Sequence, residues 1–363
     1  MAGRTLYLHI GNHAVGTAAI LAALRQSGEQ LAAAGLAHHE AGPAGSQDFP
    51  AWLQPCPDGD GLQPGQPGAL AEQLAAVPAA PVVSCADLAC IYCLDDLAVL
   101  QQNLARHFNE IRLIAYLLRQ DEQSLALNNM QAEESRRCID QGSRALLPET
   151  AKNRLYLDYH GRLARWVQVF GQENLTIRAV DRKTATPAAI ATDFFAWLGL
   201  PPPIGELPAE PRPAGRLQRL IATGNFRNKR MLQALVAGEP GQTAGLPARS
   251  EAQACLAPYR TGNRQLAAMH AKQSSPTLFA DDFSVYPEDA ADLWNEASAN
   301  ASLQHLFAGI AGSLGRLSHE ELLEIAKTIA PRQAASAHKL RRIARLLASH
   351  GENTDPEAPE SST

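Results

Sequence analysis

Thr5-Leu6-Tyr7-Leu8-His9-Ile10-Gly11-Asn12-His13-Ala14-Val15-Gly16-Thr17 is the stretch on which the fold turns. Its first six residues are mostly apolar and read as a short buried strand, and an Ala/Leu-rich helix is predicted from about Thr17 to Ala34. A strand that turns through glycines into a helix start makes an anion site, because backbone N–H groups point outward and the helix dipole favours negative charge. Gly11 and Gly16 permit close backbone approach, and the Thr17 hydroxyl is placed to cap the helix. Taken alone, the pattern fits equally well a tight turn whose glycines serve backbone shape.

Working outward, strands and helices alternate. Ala80–Ser84, Ile111–Leu118 and Leu175–Val180 read as strands. Helical periodicity appears over Asp95–Phe108, Asp121–Cys138, Tyr159–Phe170 and Ala188–Leu198. That alternation predicts an α/β fold, a parallel sheet flanked by helices over residues 1–200. Residues 40–68, rich in Pro, Gly, Asp and Gln, are expected to form a surface loop. Beyond Pro201 the strand signals fade. Residues 201–349 read as a mainly helical extension packed on the core, and the acidic, apolar-poor residues 350–363 as a disordered tail.

Composition narrows the function classes. Hydrophobic residues are 45% and charged residues 19% of the 363, an ordinary globular balance. The net charge of −5 argues against a nucleic-acid partner. No apolar run is long enough to span a membrane, and the N-terminus lacks a secretory signal, so a cytoplasmic location is expected. Cys56, Cys85, Cys90, Cys93, Cys138 and Cys255 lack disulfide-scaffold density and are read as small buried hydrophobes. The Cys90/Cys93 C-x-x-C pair has no second ligand pair, and no metal is expected.

Leu8-His9-Ile10-Gly11 followed by Gly16-Thr17 resembles the opening of bacterial sulfotransferase-like proteins, which read His-Ile-Gly-x-x-Lys-Thr-Gly-Thr-Thr-Ser. Tyr116-Leu117-Leu118-Arg119-Gln120-Asp121-Glu122 is similar to that family's next strand-to-helix turn. Asp158-Tyr159, Leu163, Trp166, Phe170–Leu175, Arg178, Asp193-Phe194 and Leu198-Gly199-Leu200 follow in the family's order, as do Asn263–Ala267 and Leu278-Phe279. The resemblance implies a P-loop fold of sulfotransferase type. It also implies a loop holding 3′-phosphoadenosine 5′-phosphosulfate (PAPS) through Gly11, Gly16 and Thr17, with Arg119 on the 3′-phosphate. The reaction implied is sulfuryl transfer from PAPS to a hydroxyl of a small molecule or glycan.

Three positions depart from that pattern. Ala14 stands in place of the loop lysine, whose fixed cation stabilises charge on the leaving nucleotide by a few kcal/mol. Ala126 replaces a serine seven residues after the arginine, and Ser124 lies two residues early. Ala86 replaces a glutamate after the second strand, with Asp87 one residue later as either a helix cap or a base. His13 is the residue placed to supply an anion donor from within the loop, whereas His9 reads as a packed strand residue. Catalytic roles therefore fall to His13 and Asp87. The alternative is a non-catalytic module on the same fold that binds an anion, a nucleotide or a protein. A P-loop kinase is disfavoured, since it too needs the lysine and a hydroxyl for magnesium.

Overall fold

The computed structural model describes residues 4–40, 52–58, 61–130, 138–142, 144–181, 186–205, 207, 246–269 and 277–290, with isolated positions beyond 290. Its centre is a five-stranded parallel sheet built from β1 (Thr5–His9), β2 (Leu36–His38), β5 (Ala80–Ser84), β6 (Glu110–Leu117) and β7 (Leu175–Ala179), in the order β2-β5-β1-β6-β7. β1 lies between β5 and β6, with His9 level with Ser84 on one side and Ile114 on the other. From β1 the chain builds β2 and β5 on one side and then crosses to β6 and β7 on the other. The carboxyl end of β1 is thus the topological switch point, where open α/β sheets bind their ligands.

Strand alternation distributes the core over two faces. Leu6, Leu8, Val83, Leu113, Ala115 and Leu117 point to one layer, where they meet α3 (Pro67–Ala76), α4 (Leu94–Ala105) and α7 (Tyr159–Phe170). Val82, Ile114 and Tyr116 point to the other, against α1 (Thr17–Gln26), α2 (Gly28–Ala33) and α8 (Pro187–Trp197). Burying both faces explains why the strands read as apolar runs. In α7, Leu163, Trp166 and Phe170 make the inner stripe, with Trp166 stacked on Phe170 at 5.2 Å. In α8, Phe194 and Phe195 are fully buried, and each such side chain contributes roughly 2–3 kcal/mol of burial.

Several expectations change. The helix after β1 breaks at Ser27 into α1 and α2. The segment expected as a surface loop over 40–68 contains an antiparallel ribbon, β3 (Leu53–Pro55) and β4 (Leu62–Pro64), with Trp52, Leu53 and Leu62 buried. Three apolar anchors in a polar stretch are enough to pin it to the core. The helix expected over Asp121–Cys138 is α5 (Gln120–Asn129) and stops at Met130, while Asn128 donates to the carbonyls of Arg144 and Ala145. Residues 151–157, to which no element is assigned from the sequence, form α6 (Ala151–Leu157), in which the N–H of Asn153 donates to the Thr150 hydroxyl.

The cysteine reading is corrected: Cys90 and Cys138 form a disulfide across a separation of 48 residues, and Cys93 is exposed. The C-x-x-C spacing is therefore not the pairing. Folding brings together two cysteines whose separation carries no motif.

In the C-terminal part, α9 (Arg249–Leu256) packs on α5 and α10 (Arg260–Met269) packs on α7. The described residues of 246–290 share one compact unit with those of 4–207. Of the helical patterns expected within 201–349, that over 214–237 lies wholly outside the described residues, those over 290–313 and 318–348 lie outside them apart from isolated positions, and the expected tail over 350–363 lies wholly outside them. Among the described residues no helix is long and apolar enough to cross a membrane.

Candidate functional site

The loop from Ile10 to Gly16 sits at the switch point, and its backbone is shaped by its neighbours. Gly11 has φ +87°, and a Cβ there would lie 2.6 Å from the Ala86 carbonyl oxygen. Gly16 has φ +73°, and a Cβ there would lie 2.6 Å from the Ile190 side chain. Both glycines are therefore demanded by close approach as well as by conformation. Ala14 also has a positive φ, 59°, and is exposed at the crest of the loop.

Thr17 does not cap the helix as expected. Gly16 occupies the cap position in a left-handed conformation with no side-chain cap, and the Thr17 hydroxyl donates to the Asn12 carbonyl at 3.2 Å. The loop is tied to its own helix by that bond. The N–H groups of Thr17, Ala18 and Ala19 open α1 and have no intrahelical acceptor, which keeps the positive end of the helix at this surface.

His13 is buried and doubly held. Its backbone N–H donates to the Tyr156 hydroxyl oxygen at 2.9 Å, and its Nδ1 lies 2.9 Å from the same atom. Its Nε2 lies 3.2 Å from Asp87 Oδ1. The Asp87 carboxylate only accepts, so in the neutral imidazole Nε2–H donates to it and Nδ1 accepts the Tyr156 O–H. Burial pushes the Tyr156 hydroxyl up to about 12, so it remains a donor. The structure thus brings His13 and Asp87 together. Asp87 stands in a short 3-10 turn, Ala86–Cys90, whose cap position is Cys85 and has no side-chain cap bond.

His9 is fully enclosed: its Nδ1 pairs with Ser84 Oγ at 2.8 Å, while its Nε2 has no partner among the described residues. Burial drives its pKa down to about 3, so it is a neutral packed residue beneath the loop.

Arg119 is placed beside the loop's neighbouring turn, but its guanidinium is engaged by protein. Nε and Nη2 donate to Asp121 at 2.7 and 3.0 Å, and Nη1 donates to the carbonyls of Ala280 and Asp282 at 2.7 and 2.6 Å. Phe283 covers the guanidinium at 4.2 Å. A phosphate reaching Arg119 has to displace Asp121 or these carbonyls. Ala126 is partly buried against the α1–α8 layer, and Ser124 Oγ accepts from the Leu147 N–H at 2.8 Å. Ala86 lies under Gly11, as described above.

Arg162 is the site residue that sequence reasoning missed. It is 3% exposed, donates through Nη2 to Asn12 Oδ1 at 2.7 Å and through Nη1 to the Ala89 carbonyl at 2.8 Å, and its buried Nε has no partner among the described residues. It lies over the rings of Tyr156 and Tyr159 at 4.9 and 5.4 Å, and makes no ion pair among the described residues. The signal was present: Arg162 occupies the same face of α7 as Trp166 and Phe170, at four-residue spacing, where a cation is out of place. Asn12, Gln123 and Arg162 together clamp the loop, Gln123 Nε2 donating to the His13 carbonyl at 2.9 Å.

No family model and no curated protein matches the chain. Among solved structures it is similar to the crystal structure of a sulfotransferase from Alicyclobacillus acidocaldarius, at 15% identity and a TM-score of 0.38, over 74% of this chain and 97% of that one.

Proposed function

We propose that this chain is an anion-binding α/β protein of sulfotransferase type, in which the Gly11–Thr17 loop receives a phosphate or sulfate group of a nucleotide without transferring it. The observation that carries this reading is the buried Arg162. An unpaired interior cation is costly, and only partly offset by two tyrosine faces, unless its field serves a ligand. It holds Asn12 of the loop and so places positive potential behind the N–H groups that open α1. Ala14 supplies no lysine at the crest, and Arg119 is committed to Asp121, which argues for binding without barrier-lowering charge.

Titration calorimetry with adenosine 3′,5′-bisphosphate tests it. Binding is expected, weakened about tenfold or more in Arg162→Met and largely retained in Arg162→Lys. Ala14→Lys is expected to tighten binding, since that position already tolerates a Cβ at positive φ. No binding to the wild-type chain at millimolar ligand would sink the proposal.

A second reading, sulfuryl transfer from PAPS to a hydroxyl of a small molecule or glycan, is favoured by the His13–Asp87 pair, which has the composition of a base and its orienting carboxylate. Turnover of labelled PAPS that is lost in His13→Gln would establish it over the non-catalytic reading.

A further inference from the structure

The Cys90–Cys138 disulfide ends beside the His13–Asp87 pair. A ring nitrogen of His13, a carboxylate oxygen of Asp87 and the Cys138 sulfur lie within 4.8 Å of one another. The three residues come from the loop after β1, the turn after β5 and the segment after α5, so only the fold assembles them. We infer that reduction of the Cys90–Cys138 disulfide creates a zinc site whose ligands are His13, Asp87 and Cys138. This inference stands independently of nucleotide binding at the loop.

The donor set is chemically coherent. Imidazole nitrogen, carboxylate oxygen and thiolate sulfur are the three ligand types zinc takes, and three protein ligands with one open position is a common zinc arrangement. Donors around a tetrahedral zinc stand roughly 3.3–3.8 Å apart, so closing this cluster asks for side-chain shifts of about an ångström. His13 Nε2 faces Asp87 already, and its other nitrogen faces the Tyr156 hydroxyl, which supplies the outer partner that orients a ligating imidazole. Cys138 is 3% exposed and His13 nearly as enclosed, while the Asp87 side chain keeps 28% of its surface open and provides the entry side.

In the oxidised chain the Cys138 sulfur is bonded to Cys90 and is no thiolate, so the site is incomplete. A dithiol reductant opens it: its two thiols become a disulfide, and the S–S bond yields the Cys90 and Cys138 thiols. Zinc then displaces one proton from Cys138 and takes the Nε2 lone pair of His13; the ring proton moves to Nδ1 and donates to a lone pair of the Tyr156 oxygen, as the Tyr156 O–H rotates off Nδ1. Asp87 binds as the carboxylate. A reducing compartment thus loads the site and an oxidising one empties it.

The test is zinc and cobalt(II) titration of the full chain, oxidised and after treatment with a dithiol reductant that is then removed. The reduced chain is expected to bind one zinc per molecule at micromolar concentration, and cobalt(II) to give a thiolate charge-transfer band. The oxidised chain is expected to do neither. Cys90→Ser, which leaves Cys138 free, is expected to bind without reductant. His13→Gln, Asp87→Asn and Cys138→Ser are expected to weaken binding at least about tenfold, the last removing the cobalt band. Equal binding by oxidised and reduced wild type, or by these variants and wild type, overturns the inference. The oxidised–reduced comparison needs no variant, so a variant that fails to fold leaves the test intact.

Discussion

The Tyr156 hydroxyl bonds His13 twice, accepting from its backbone N–H and meeting its Nδ1, each at 2.9 Å. One side chain of α6 therefore fixes both the path of the loop after β1 and the tautomer of its histidine. Tyr156→Phe leaves a buried N–H unsatisfied and is expected to cost about 1–3 kcal/mol. Urea unfolding measures that loss, and the imidazole nitrogen shifts in NMR report release of the tautomer. An unchanged stability and unchanged shifts would show that the loop does not depend on this bond.

Gly11 is the second pin of the loop. Gly11→Ala puts a methyl group within 2.6 Å of the Ala86 carbonyl oxygen at φ +87°. Strain and overpacking act together, and a loss of about 2 kcal/mol or more is expected. Gly35→Ala, also at positive φ but with open space around its Cβ, separates the two effects and should lose only the strain contribution in the same thermal-unfolding measurement.

The Arg119–Asp121 pair is a test of structural commitment. Asp121 is fully buried and also accepts from the Tyr286 hydroxyl at 2.6 Å. Asp121→Asn leaves the guanidinium without its counter-charge and is expected to cost about 3–5 kcal/mol. Because Arg119 also holds the carbonyls of Ala280 and Asp282, limited proteolysis should become faster near residues 277–290.

His9 gives the chain an acid limit. Its folded-state pKa is about 3 against an ordinary value of 6.5, so the unfolded chain binds a proton that the folded chain refuses. The stability associated with neutral His9 is complete above pH 6.5 and is lost as pH falls toward 3, with a slope of about 1.4 kcal/mol per pH unit. Chemical denaturation across that window should show the slope in wild type and a shallower one in His9→Gln. Parallel curves would place the acid sensitivity elsewhere.

The sequence by itself determined the parallel α/β core. The apolar runs at 5–10, 80–84, 111–118 and 175–180, and the helical stripe of α7, are local patterns, and a side chain's periodicity is set by its own backbone. It also marked the glycine loop and named His13 and Asp87, 74 residues apart; the strand order that puts the loop at the switch point and the contact between the two side chains belong to the fold. Edge strand β2 and helix α6 escaped notice because they are short, helix α3 because it opens on Pro67-Gly68 at the end of a Pro/Gly-rich stretch, and the ribbon at 53–64 because its anchors are outnumbered by polar residues. Only the tertiary structure decided what the polar groups do. Arg119 is bound by Asp121 and by carbonyls some 160 residues away, Tyr156 takes the loop N–H, Arg162 holds Asn12 with no ion pair among the described residues, and Cys90 meets Cys138. Such pairings follow from which buried surfaces pack together, and hydrogen bonds between distant positions leave no periodic trace along the chain.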